Sequence, residues 1–279
     1  MEDGYLELSS KDGLVLKGSY WEVENAKAVI NLIHGFGEHC QRYRKLANRL
    51  NEEGYTVAAI DLRGHGRSDG KRGYVKSFTN LLDDVDVLLD FSASRWKDKK
   101  QFLYGHSMGG NIVSHYALKR PDKIDALIVS SPWYRLTSTP SALLMALAKA
   151  LYRIFPNFIK KHQLNISYMS HDPQIVEEYL NDPLMHKHIS MNLFFGVQKS
   201  GSWILENADK LSIPVYLQHG NQDQITSFNA SKGFYDQAVQ LNKNITFKEW
   251  EGGYHELHNE TFKDEVMQAV VKWLNNQIR

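Results

Sequence analysis

Short β-branched runs alternate with longer helical stretches along most of this chain, and that alternation closes off most folds. Ala28–Ile33 (AVINLI) is a continuous apolar run, as expected of a strand covered on both faces. Tyr55–Ile60, Gln101–Tyr104, Ile124–Val129, Ile213–Leu217 and Ile245–Trp250 read the same way. Helical stretches lie between them at Tyr43–Glu53, Thr79–Trp96, Met108–Lys119, Ser227–Leu241 and Glu260–Gln277. Within Thr79–Trp96, the residues Leu81, Leu82, Val85, Leu88, Leu89 and Trp96 fall mostly on one helical face. Leu14–Tyr20 alternates and follows the turn Lys11-Asp12-Gly13, which marks an early hairpin. The expectation is an α/β fold, a mainly parallel sheet flanked by helices on both sides. With 279 residues, 42% of them apolar, the chain can bury a large core without staples.

Several classes of protein drop out. The lone cysteine, Cys40, excludes an internal disulfide and permits a reducing compartment, so a cytoplasmic place is expected. With 33 basic and 32 acidic residues there is no cationic surplus to displace counterions from a duplex, so no nucleic-acid partner is expected. The acidic start, MEDGYLELSSKDG, lacks the apolar stretch of a signal peptide. His34 and His39 are five apart and His255 and His258 three apart, unlike a zinc-protease HExxH pair, and no Walker loop or GxGxxG follows a strand. No metal or organic cofactor is expected.

One region breaks the alternation. Residues 132–210 contain no convincing strand, so the chain divides into an α/β core at 1–131 and 211–279 and a helical cap inserted at 132–210. Within the cap, Ser141–Ile159 (SALLMALAKALYRIFPNFI) is as long as a membrane span, but Lys149, Arg153 and Pro156 interrupt it. Two readings fit: a helix packed on its own protein, or an apolar lid that makes peripheral contact with lipid or a greasy substrate.

The chemistry concentrates after the strands. Gly105-His106-Ser107-Met108-Gly109 sits between the strand Gln101–Tyr104 and the helix that begins near Met108. Such an elbow forces Ser107 into a strained turn and lifts its hydroxyl above the sheet edge. A serine hydroxyl needs a base to take its proton, and the base needs an acid to orient it. Asp223, in HGNQD after one late strand, and His255, in EGGYH after the next, stand where the acid and the base are wanted. An oxyanion needs N–H donors: Met108 at the helix start, and Phe36 in the His34-Gly35-Phe36-Gly37 loop. Gly64–Ser68 (GHGRS) reads as a structural turn.

With these motifs in place the sequence resembles the α/β-hydrolase superfamily, and within it the monoacylglycerol lipase and lysophospholipase group. The likeness runs from about Leu14 to Trp273 and is carried by HGFGEHCQRY, DLRGHGRSDG, GHSMGG, YLNDPL, HGNQD and YHELH. It implies a serine esterase with a cap over its site, cleaving a single-chain lipid ester such as monoacylglycerol to fatty acid and glycerol through an acyl-enzyme. It also implies a glycerol pocket of Glu38, Arg42, Tyr179 and His258. Where many relatives carry a smaller residue, this chain has Phe36, which reshapes the acyl pocket. A lysophospholipase, a broad short-chain carboxylesterase, and a ligand-binding homologue without turnover are the alternatives.

Overall fold

The computed structural model describes residues 2–138, 141–161 and 165–278. The first half of the core runs β1 (Glu2–Ser9), β2 (Val15–Glu22), β3 (Ala28–Ile33), α1 (Arg44–Glu52), β4 (Tyr55–Ile60), α2 (Phe78–Arg95), β5 (Gln101–His106), α3 (Met108–Lys119) and β6 (Ala126–Ser130). Then come α4 (Ala142–Ile154), β7 (Ile159–Lys161), α5 (Pro173–Asn181), β8 (His188–Ser190) and α6 (Met191–Glu206). The chain closes with β9 (Val215–Gly220), α7 (Phe228–Gln240), β10 (Ile245–Trp250) and α8 (Lys263–Gln277).

Eight strands form one sheet in the order β1-β2-β4-β3-β5-β6-β9-β10. The hairpin β1–β2 pairs Ser9 with Val15 and is antiparallel, as is β2 with β4; every other pair is parallel. Successive side chains of a strand point to opposite faces, and β3 shows the consequence. Val29 and Ile33 enter the core layer under α2, α3 and α6, while Ala28, Ile30 and Leu32 enter the layer under α1 and α8. A strand packed on both faces is apolar nearly throughout; the exception in β3, buried Asn31, is satisfied by Gln101 Oε1, the Phe102 carbonyl and Ser92 Oγ–H. β9 opens two residues later than Ile213, because Pro214 has no N–H to give to the ladder. The α/β-hydrolase fold expected from the sequence is the fold observed: a mostly parallel sheet between helical layers.

Two features depart from the sequence reading. Residues 132–210 do contain strands, the antiparallel pair β7–β8 with Ile159 opposite Ser190. Three residues are too few for an alternation to register in sequence. The leucines of α4, moreover, are not packed on the protein. Leu143 is 81% exposed, Leu147 65% and Ile154 69%; Leu144, Leu151, Phe155 and Phe158 are exposed too. Positions 143, 147, 151 and 154 form one helical stripe. The opposite face does pack on the protein: Met145, Ala148 and Tyr152 are half-buried, and the Tyr152 ring lies 4.8 Å from that of Phe195, so α4 is seated on one side and open on the other. Among the described residues no helix is long and apolar enough to cross a membrane.

The parallel strands all deliver their carboxyl ends to one edge. After β3 comes His34, after β5 Ser107, after β9 the Asn221–Thr226 turn, and after β10 the turn into His255. This is the edge where open α/β sheets bind ligands.

Candidate active site

At the end of β5, Ser107 adopts φ 55° and ψ −117°, a left-handed conformation that costs energy for a residue with a Cβ. Its surroundings hold it there. Ser107 N–H donates to the Ser130 carbonyl (3.0 Å), and Ser107 O accepts from Asn111 N–H (3.0 Å) and Trp133 N–H (2.9 Å). Gly109 makes the bend possible, because a Cβ there would lie 2.1 Å from the Ile33 carbonyl oxygen.

The structure brings Ser107, His255 and Asp223 into one chain of hydrogen bonds. His255 Nε2 lies 2.9 Å from Ser107 Oγ, and His255 Nδ1 lies 2.7 Å from Asp223 Oδ2. Asp223 is heavily satisfied. Its Oδ1 accepts the N–H groups of Ile225 (2.7 Å) and Thr226 (2.9 Å), and its Oδ2 also accepts Thr226 Oγ1–H (2.9 Å) and faces His219 Nε2 at 3.1 Å. Burial would push this carboxyl up, but His255 and the hydrogen bonds from His219 and His255 hold it well below the usual carboxylate range. Burial likewise opposes charge on His255, yet Asp223 outweighs it and raises the imidazole above its ordinary value.

The loop after β3 is set by a second histidine. His34 Nε2 accepts Leu62 N–H (2.9 Å), so Nδ1 carries the proton and donates to the Gly35 carbonyl (2.7 Å). Burial keeps His34 neutral by lowering its pKa, as the acceptor role requires. In a trans peptide the C=O and the next N–H point opposite ways. Anchoring Gly35 C=O on His34 thus turns Phe36 N–H to the other side, where Gly35 and Phe36 line the cavity with Ser107. Met108 opens α3, so its N–H has no partner within the helix.

That cavity has a volume of about 240 Å³. Trp133, Leu136, Met169 and Met185 give it apolar walls, while Glu38, Tyr179 and Glu256 bring polar groups to it near His255. The other two residues of the expected glycerol pocket are not on its wall. The Arg42 guanidinium stands one layer back, with Nη2 2.9 and 3.0 Å from the two oxygens of Glu256, Nε 3.2 Å from Glu38, and Cζ 5.6 Å from the centroid of the Tyr179 ring. His258 stacks on Tyr43 (centroids 4.9 Å apart) and meets His106 edge-on. Gly64–Ser68 is a turn tied to Asp61, whose carboxylate accepts Cys40 N–H and Arg67 N–H and whose carbonyl accepts Ser68 Oγ–H. Sequence reasoning missed Glu256, Thr226 and His219. The first directly follows His255 in YHELH, and the other two bracket Asp223 in HGNQDQIT.

Residues 168–171 are bonded to the loop that carries His255. His255 N–H donates to Tyr168 O and Glu256 N–H to Met169 O (2.7 Å), while His171 Nδ1 faces Glu260 Oε1 at 3.0 Å and its ring stacks on Tyr254.

A parallel sheet with a strained serine at its carboxyl edge, facing a histidine and a buried carboxylate, defines an α/β-hydrolase of the serine type. The serine aminopeptidase S33 family profile matches residues 24–262, and the chain belongs to that family. It is 31% identical to the monoacylglycerol lipase of Mycolicibacterium smegmatis, over 89% of this chain and 88% of that one. The crystal structure of the Paleococcus ferrophilus monoacylglycerol lipase matches with a TM-score of 0.82 at 32% identity, covering 99% of this chain and 100% of the other. An uncharacterised abhydrolase domain-containing protein of Dictyostelium discoideum is 34% identical over 90% of this chain, which spans only 26% of that longer protein.

Proposed function

We propose that this serine hydrolase cleaves monoacylglycerol to fatty acid and glycerol through an acyl-enzyme on Ser107. The observation that carries the reading is the Ser107–His255–Asp223 chain opening into a cavity with apolar walls and two carboxylates near the imidazole. Ser107 Oγ attacks the ester carbonyl while His255 Nε2 takes its proton. Asp223 orients the ring and stabilises the imidazolium. The N–H groups of Phe36 and Met108 receive the oxyanion. Collapse breaks the bond to the glycerol oxygen, which takes the proton from His255 and leaves beside Glu38 and Tyr179, with Arg42 holding Glu38 from behind and His258 packing the layer below. Water then attacks the acyl carbonyl and gives a proton to His255. The second collapse returns that proton to Ser107 Oγ and frees the fatty acid.

In this reading residues 132–210 act as the cap. The exposed stripe on α4 supports docking on lipid surfaces, where such a substrate resides, and a single buried cysteine suits a cytoplasmic enzyme working there peripherally. The test is fatty-acid release from monoacylglycerols and lysophosphatidylcholines of matched chain length. Faster release from the monoacylglycerol supports the reading. Faster release from the lysophospholipid would make the protein a lysophospholipase, and turnover of p-nitrophenyl butyrate alone a short-chain carboxylesterase.

A further inference from the structure

We infer that Glu256 selects the head group: together with Glu38 and Arg42 it makes a buried, singly negative wall that accepts a neutral polyol and rejects an anionic head. The inference rests on the monoacylglycerol reading and deepens it. Glu38 and Glu256 both line the cavity, each is at least 95% buried, and the guanidinium of Arg42 lies between them. Two carboxylates and one guanidinium leave one negative charge, sealed from water on the protein side.

The remaining hydrogen-bonding capacity points to the ligand. An ionised carboxylate offers about four lone-pair sites. Glu38 fills three, with Gly35 N–H, Tyr43 Oη–H and Arg42 Nε–H. Glu256 also fills three, two with Arg42 Nη2 and one with Asn259 Nδ2. About one acceptor site is left on each, which suits two hydroxyl donors such as the free hydroxyls of a 1-monoacylglycerol. On the same cavity His106 is 2% exposed, and its Nδ1 has no partner among the described residues. A phosphate brought to this wall would meet a like charge at low dielectric and acceptors where it needs donors.

The experiment compares kcat/KM for 1-monodecanoylglycerol, its 3-phosphate of the same chain length, and p-nitrophenyl butyrate, in the native chain and in Glu256→Gln and Glu256→Asp. The native enzyme is expected to favour the neutral glyceride over its phosphate by about 100-fold, the scale of one charge repulsion at short range. Glu256→Gln should narrow that ratio by about tenfold or more, and Glu256→Asp, which keeps the charge, should preserve most of it. A native ratio near one overturns the inference, whatever the variants do. So does a Glu256→Gln enzyme that slows on all three substrates by one common factor, since that marks a structural role only. If the native chain cleaves p-nitrophenyl butyrate but neither glycerolipid, the substrate reading falls and the inference falls with it.

Discussion

Replacing Asp223 with asparagine keeps the shape of the side chain and removes one charge, and the donors around it dictate how the new amide must sit. Oδ1 is held by two backbone donors, the N–H groups of Ile225 and Thr226, which cannot turn away. They claim the single oxygen of the amide, so its NH2 takes the Oδ2 place and faces His255 Nδ1. That nitrogen must now accept. The ring proton moves to Nε2, and His255 can no longer take the proton of Ser107. The wrong tautomer and the lost charge together are expected to lower kcat by about 10⁴-fold, roughly 5.5 kcal/mol in barrier. The titration of the imidazole gives a second readout. Asp223 contributes most to raising His255 against burial, so without it burial is opposed only by the weaker pull of Glu256 and Glu38, and the acid limb of the pH–rate profile moves to lower pH. Initial rates on p-nitrophenyl butyrate between about pH 5 and 9 give both quantities, and a thermal melt checks that the variant is folded. A folded Asp223→Asn enzyme within tenfold of native kcat, or one whose acid limb moves upward, would refute the reasoning.

Other perturbations have equally definite outcomes. His34→Ala releases the Gly35 carbonyl and lets Phe36 N–H drift, so kcat should fall by about 10²-fold with little change in KM; an unchanged kcat would separate His34 from the oxyanion site. Arg63 donates to buried Asp84 and to Asp12 at 2.6 Å each, so Arg63→Ala strands a buried carboxylate and should cost about 3–5 kcal/mol in denaturant unfolding. A loss below about 1 kcal/mol would show that the pair is dispensable. Fully burying one leucine is worth about 1.5–3 kcal/mol, so Leu147→Glu with Leu151→Glu should weaken co-sedimentation with phosphatidylcholine vesicles by at least tenfold. Equal sedimentation with the native chain would free α4 of that role.

The sequence carried the architecture because burial on both faces leaves runs that are apolar but for one residue, as in Ala28–Ile33 (Asn31) and Tyr55–Ile60 (Thr56). It carried the position of Ser107 because the strand, the glycines and the helix start coincide in one short stretch. Proximity across the fold was harder to read. Nothing in YHELH says that Glu256 faces the cavity while His258 packs behind it on Tyr43; a turn, unlike a strand or helix, has no period from which to assign faces. Arg42 pairs with Glu256 across 214 positions, so its place behind Glu38 could not be foreseen locally. On α4, exposed leucines at 143, 147 and 151 have the same spacing as core leucines, and only the packing distinguishes them.

Reaction with a fluorophosphonate, followed by mass spectrometry of the intact chain and its peptides, puts the central claim to its most direct test. One adduct on the peptide carrying Ser107, absent from Ser107→Ala and strongly slowed in His255→Ala, is the expected result. Stoichiometric labelling at a different residue, or ester turnover surviving in a folded Ser107→Ala chain, would contradict it.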